Sequence, residues 1–557
     1  MNILDRTSDP KARRRGTVLL LVLVVVMLLS FSMYSFAEMM LVQYDGTRAS
    51  LTDLQLRQLA DSGIVACKER LIMRRSRAAS DTNGSKLGFR DVQITTVGGT
   101  PARYSILQFV PAQSQKIKYG FADESALLNL NALPVEQQQR RDSIARLMHI
   151  PGMRPETAAA IMDWMDADDE PSDLGAESAW YSAQKPAYRP RQGRLQTLQE
   201  LLLVRGVTKE LLFGEDTNQN GILDPHENDG ATRPPNDNAD GVLQAGWSEL
   251  LTIHSAERTL RADGSKKINL NDSNLVALYD ALETQFGRDM ARFVVALRMK
   301  GRTDKADSRR NFGPDDKRRE RIASGARRLQ QQLGNPGDTG GLQALADSES
   351  TLSQNRGGIL LSTNGSYEIR SLIDLIGGSV RVDVDRVDTI LRSPWADDVA
   401  SLKRALAELE LHLTLTDSQR QIGRINIFQA PYAVLMTIPH MTESLARAIE
   451  LTRPRNPQSN RLESTPQMVS GESIVWLLER RLLDLKQFRL IAPYITAKGD
   501  VVRGVSVGHI DGVRRQVAVR FLLDATDLEP HLLEMQDIPP IPLQVGGHAS
   551  HARGNQR

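Results

Sequence analysis

The chain is poor in the residues that carry covalent and redox chemistry. Cys67 is the only cysteine in 557 residues, which excludes an intrachain disulfide framework and a cysteine-ligated zinc cluster. The nine histidines are scattered, and no pairing of histidine with carboxylates marks a catalytic constellation, so no enzyme is expected. Aromatic residues make up only 5% of the chain. Neither sign of charge dominates, since 70 basic residues face 68 acidic ones for a formal charge of +2. A dedicated nucleic-acid binder carries a larger basic surplus or a separate basic domain. Long apolar runs are missing too, with one exception.

That exception lies in RRRGTVLLLVLVVVMLLSFSM, where Thr17–Ala37 runs for 21 residues without a charge. At 1.5 Å per residue such a helix spans about 31 Å, close to the hydrocarbon thickness of a bilayer. Arg13, Arg14 and Arg15 precede it and Glu38 is the first charge after it. The positive-inside rule then keeps residues 1–16 in the cytoplasm and sends the rest across. Three fates compete for this segment. A signal peptide would be cut after Ser35-Phe36-Ala37, and a plain anchor would stay intact. A prepilin-type leader would be cut after Gly16, making Thr17 the new N-terminus, and the basic stretch abutting the apolar run matches this pattern best. Beyond the bilayer Leu56, Ala60, Ile64, Cys67 and Leu71 recur at helical spacing, so the helix is expected to continue, with Cys67 a small core residue.

Further along, QITTVGGTPARYSILQFV (93–110) reads as a hairpin about Gly98-Gly99. Three short texts then repeat: LNLN at 128–131, INLN at 268–271 and INIF at 425–428. The first and third run on into similar helical text, MHIPGMRPETAAAIMDWM and MTIPHMTESLARAIEL, so an internal repeat of a small helical unit is expected. Residues 300–321 are mostly charged and 334–341 turn-rich, which predicts a disordered insert. A second hairpin is expected about Asp511-Gly512, followed by a disordered tail.

The sharpest motif is DTNQNGILDPHE, residues 216–227. Asp216, Asn218, Asn220, Asp224 and Glu227 fall at positions 1, 3, 5, 9 and 12 of a Ca²⁺ loop. Gly221 stands where the chain must turn, and Ile222 would offer its carbonyl. The bland alternative is a soluble Asn/Asp turn. NDNADG (236–241) repeats the opening spacing, but Trp247 occupies the place of the bidentate acid. Two further motifs read as decoys. Gly504-Val505-Ser506-Val507-Gly508 spells a nucleophile elbow, yet it lies inside an alternating strand and not at a strand-to-helix turn. The repeats resemble a helix-hairpin-helix DNA module, but Arg154 stands for its second glycine, and His440 and Thr442 replace both in the later copy. Asp163, Asp166, Asp168, Asp169 and Glu170 would also repel a phosphate backbone. Nucleic acid is therefore not expected; the acidic run is a solvated helix end, or a calcium or partner contact.

In order, the RRRGTVLLL leader, QLADSG (58–63), YGFADESALLNLNAL (119–133), AAIMDWMDADDEPSDLGAESAWY (159–181) and PAYRPRQGRLQTLQELLLVRGVTKELL (186–212) resemble one family, the K-type minor pseudopilins of type II secretion systems. The resemblance implies an α+β fold: a long transmembrane helix, a pilin-like α/β core, and an inserted mainly helical domain. It implies prepilin peptidase cleavage at Gly16, methylation of Thr17, a single pass through the inner membrane and a periplasmic bulk. Other minor pseudopilins and the pseudopilus would be its partners, and fibre initiation at the tip its function. Pilins generally carry Glu at the fifth mature position, whereas this family lacks it; here that position is Leu21. The expected organisation is leader 1–16, helix 17–75, core 90–130, helical domain 131–450 with its insert near 300–341, core completion 451–540 and tail 541–557. The length, the segment at 351–424 and a mature Thr depart from the family. A membrane-anchored DNA receptor and a secreted, periplasmic calcium-binding protein are the alternatives.

Overall fold

The computed structural model describes residues 10–76, 89–108, 118–232, 237–244, 246–303, 354–361, 365–453 and 473–541. Most of the expected disordered insert near 300–341, and all but the first residue of the expected tail, lie outside them.

Helix α1 runs unbroken over Pro10–Ser76, so it begins before the expected leader boundary. Pro10 suits a first helical position, because the N–H it lacks would be unpaired there. The two ends of α1 meet different surroundings. From Val18 to Leu54 its large apolar side chains are exposed, and the helix is long and apolar enough to cross a membrane. From Leu56 onward one stripe is buried, and Leu56, Ala60, Ile64, Cys67 and Leu71 all lie on it as the spacing predicts. Burial of each large member contributes roughly 1.5–3 kcal/mol. Burial also pushes the Cys67 thiol well above its usual range, which leaves it an inert core residue.

The stripe rests on an antiparallel sheet of five principal strands: β1 (Val92–Val97), β2 (Thr100–Gln108), β3 (Val501–Ile510), β4 (Gln516–Asp524) and β5 (His531–Ile538), in that spatial order. Both expected hairpins form. Gly98 and Gly99 have φ of 57° and 83°, the two left-handed positions that a tight β-turn needs. The sheet is thus a simple meander, opened between β2 and β3 to admit the helical domain.

That domain has one continuous apolar core from Leu128 to Ile495, so it reaches well past the expected boundary at 450. It is built three times over. Leu128–Asn129 pairs in parallel with Leu251–Thr252, Ile268–Asn269 with Leu413–Thr414, and Ile425–Asn426 with Ile495–Thr496. Each threonine turns the chain alike, its Oγ1 accepting the N–H two residues on, from His254, Thr416 and Lys498. Within each closed unit sits a helix pair: α2 (Gln137–Leu147) and α3 (Pro155–Met165), α4 (Leu275–Phe286) and α5 (Arg288–Lys300), α6 (Tyr432–Met436) and α7 (Glu443–Thr452). Gly152, Gly287 and His440 turn between the members of these pairs at φ of 75°, 88° and 64°.

The first two units share a further device. Asn131 and Leu195 exchange a side-chain-to-backbone bond pair, each 2.9 Å, and Asn271 and Ile369 do the same at the same distance. Glu200 and Asp374 then accept the N–H groups of Gln196 and Arg370. The texts RLQTLQEL (194–201) and EIRSLIDL (368–375) are therefore two copies of one lock. The third unit has Phe428 in place of the asparagine.

Candidate metal centre

The 216–227 loop folds as its spelling demands. Asp216 follows a backbone bond from Glu215 N to Gln244 O, and accepts N–H groups from Asn220 and Gly221 at 3.0 and 2.9 Å. Gln219 and Gly221 take φ of 56° and 73°, which brings the first and last thirds of the loop face to face. Asn218 and Asn220 then donate their amides to the same oxygen, Asp224 Oδ2, at 2.6 and 2.8 Å. Glu227 is wholly buried; its Oε1 accepts Thr217 N and Oγ1, and its Oε2 accepts Asp224 N. All five predicted side chains thus belong to one hydrogen-bonded loop.

The surroundings of Asp216 disfavour its charged form. Burial pushes the Asp216 carboxyl up to about 6; Glu227 pushes it the same way, while Gly221 N–H and Arg520 pull against the shift. The donor set is oxygen-only, with three carboxylates and two amides, which is the chemistry of a hard divalent ion. A half-turn about the last bond of Asn218 and Asn220 would turn their amide oxygens toward an ion beside Asp224, at the expense of the N–H groups of Asn220 and Ile222 that these oxygens accept at 3.0 and 2.7 Å.

The loop also joins the two parts of the molecule, which its sequence does not announce. Ile222 packs against the sheet residues Leu107, Val505, Val507, Ala518 and Ile538. Gln219 Oε1 accepts Arg520 Nη1 of β4 at 3.3 Å. Close by, Arg503 of β3 reaches Glu249 Oε2 at 2.7 Å and Glu124 Oε2 at 3.6 Å. The only signal for this joint was the apolar pair Ile222-Leu223 within an otherwise polar loop.

Other predicted residues fall elsewhere. The 236–241 text forms an Asx-rich turn in which Asp237 accepts N–H groups from Asp229, Gly230 and Ala239; Asn236 lies outside the described residues. Trp247 is a core residue whose Nε1 donates to Pro151 O. Ser506 is wholly buried and donates to Ala60 O of α1 at 2.6 Å, so its glycine-flanked spelling is a seat for a helix. The backbone of Gly16 and Thr17 lies within α1; their side chains are outside the described set. Of the acidic run, Asp168, Asp169 and Glu170 are exposed, whereas Asp163 and Asp166 are buried.

Residues 126–213 match the family model described as "Type II secretion system (T2SS), protein K". The chain is similar to type II secretion protein K. Type II secretion system protein K of Klebsiella pneumoniae is 28% identical over 212 residues, which are 36% of this chain and 60% of that protein. The chain thus spans less than two thirds of this relative's length. The crystal structure of the GspK-GspI-GspJ complex from the enterotoxigenic Escherichia coli type 2 secretion system aligns over 89% of this chain and 99% of that one, with 9% identity and a TM-score of 0.33. That superposition is too loose to place one chain's elements on the other's. The matched segment coincides with the first helical unit up to the threshold of the 216–227 loop.

Proposed function

We propose that this protein is a minor pseudopilin of a type II secretion system. The single observation that carries the proposal is the division of α1. Its first part presents an apolar surface on every side, while its last five turns are sealed onto a sheet. A subunit that leaves a bilayer to enter a fibre needs such a helix, apolar at one end and rigidly mounted at the other. On this reading α1 anchors the chain once in the inner membrane, with the folded bulk on the periplasmic side. Prepilin peptidase cuts after Gly16, and Thr17 is methylated. With Leu21 in place of an acid there is no buried carboxylate awaiting a neighbour's N-terminus, which suits a subunit with none above it. The protein then joins other minor pseudopilins at the tip and initiates the pseudopilus.

Calcium belongs to the same proposal. Asp216, Asn218, Asn220, Asp224 and Glu227 would hold the ion, with the Ile222 carbonyl as a further donor. A bound ion would neutralise the buried carboxylates and hold the helical domain against the sheet. Mass spectrometry of the protein from membranes tests the main reading: an N-terminal Thr17 supports it. An intact Met1, or a start at Glu38, sinks it. For the ion, adding calcium to chelator-treated full-length protein in detergent raises the melting temperature, and Glu227→Gln removes much of the gain. An unchanged melting curve in wild type would reject the loop as a calcium site and leave the pseudopilin reading standing.

A further inference from the structure

We propose that the outer strand of the hairpin at 379–392 pairs, edge to edge, with the same strand of a second copy of this chain. The hairpin belongs to the second helical unit, and its strands Ser379–Val384 and Val387–Arg392 run antiparallel. Val380 and Val382 are buried in the helical core, and Leu391 is half-buried on the same face. The other face, with Arg381, Asp383, Asp388, Ile390 and Arg392, is open to solvent apart from the half-exposed Ser379. The sheet has two strands only, so Val387–Arg392 has no neighbour on its far side.

Backbone geometry determines what that free edge offers. Ser393 N donates to Gly378 O at 2.8 Å, so these two residues form a hydrogen-bonded pair. Bonded and non-bonded pairs alternate along an antiparallel ladder. The pairs 379 with 392, 381 with 390 and 383 with 388 are therefore non-bonded ones. The N–H and C=O groups of Asp388, Ile390 and Arg392 point outward as a result, and none has a partner among the described residues. Such a row is a template for another strand. Pro394, the next outward residue, has no N–H, so pairing stops at Arg392.

The text Asp388-Thr389-Ile390-Leu391-Arg392 is complementary to itself. With a twofold axis at Ile390, Asp388 meets Arg392 of the second copy, Ile390 meets Ile390, and Arg392 meets Asp388. Every outward residue then meets an outward residue, as a bonded ladder requires. A slip by two positions keeps that parity but sets a charge against Ile390, so the charges select one register. Each chain alone serves these charges poorly. Asp388 lies across from Asp383 and reaches Arg381 only at 3.9 Å, while Arg392 lies across from Ser379. Like charges directly opposite destabilise a sheet and opposite charges stabilise it. The contact is isologous and closes at two copies, and with one short strand from each it belongs to the weak, reversible class.

Oxidative cross-linking of full-length Ile390→Cys in lipid vesicles tests the pairing, which does not rest on the secretion reading. Paired residues at the axis have Cα atoms about 5.5 Å apart, within the range a disulfide spans. Val387 is the more exposed of the two, at 63% against 54%, yet in this register two copies of it stand about 20 Å apart. Ile390→Cys should therefore yield a disulfide-linked dimer, and Val387→Cys almost none. Wild type is the blank, because Cys67 is buried. Asp388→Arg in the Ile390→Cys background should lower the yield roughly tenfold, and adding Arg392→Asp should restore it. No dimer, equal yields at 387 and 390, or a yield indifferent to charge reversal would each overturn the proposal. Should Ile390→Cys fail to accumulate, Asp388→Cys and Arg392→Cys chains are mixed; they should cross-link to each other and not to themselves.

Discussion

At Gly508 the backbone of the sheet and the backbone of α1 come as close as two backbones can. A Cβ there would strike Leu56 O and crowd Ala60 N, while one at Gly63 would strike Ser506 Oγ. Gly508→Ala must therefore push α1 off the sheet, and overpacking of this kind costs about 1–3 kcal/mol. Ser506→Ala removes one bond to Ala60 O and should cost about 1 kcal/mol. Urea denaturation of both variants is expected to rank Gly508→Ala as the more damaging. Beside them, burial holds the His509 imidazole below its ordinary pKa, and Arg103 pushes the same way, while Asp91 and Asp511 act in the opposite direction. The unfolded chain then takes up this proton first, so His509 contributes no pH dependence well above its ordinary pKa and costs stability as pH falls through it. A weakened loss between pH 7.5 and 5.5 in His509→Gln, measured by denaturant midpoint, is the expected check. Of these residues, spelling revealed only that Ser506 was no nucleophile. Close approach between segments more than 400 positions apart leaves no local signature.

Elements differ in how plainly they were written. The apolar half of α1, both glycine-centred hairpins and the hydrogen-bonded loop at 216–227 follow rules of period or position, and each forms where the sequence puts it. Strand β5, HLLEMQDI, does not alternate and has little β-branching; it exists because β4 offers it an open edge. The threonine ends of the three helical units were also hidden, since a strand of two residues has no period to detect. The Leu-Thr and Ile-Thr pairs at 251, 413 and 495 were there to be aligned once the asparagine motifs were known. The paired locks make a prediction at this scale. Asn131→Ala breaks two bonds to the backbone and Asn271→Ala three, the third to Leu415 O, and each leaves those groups without that partner, a loss of about 1–3 kcal/mol each. The two units share no lock residue, so the effects should add in the double variant when followed by calorimetry.

For the whole molecule, the consequence lies in the order of the chain. β2 pairs directly with β3, yet Gln108 and Val501 are separated by the entire helical domain. A chain made from its N-terminus delivers α1, β1 and β2 first and must hold them unsealed until the last strands arrive. The helical domain closes its three units from its own residues and can condense during that wait, whereas the sheet has the longest loop to close. Protease treatment of a chain ending before Val501 should accordingly leave the helical domain intact and digest α1 beyond the membrane. Completion is thereby built into the fold as a checkpoint. Helix α1 becomes rigidly mounted only after the last strands of the sheet have been made, so a half-synthesised chain keeps its N-terminal helix unsealed.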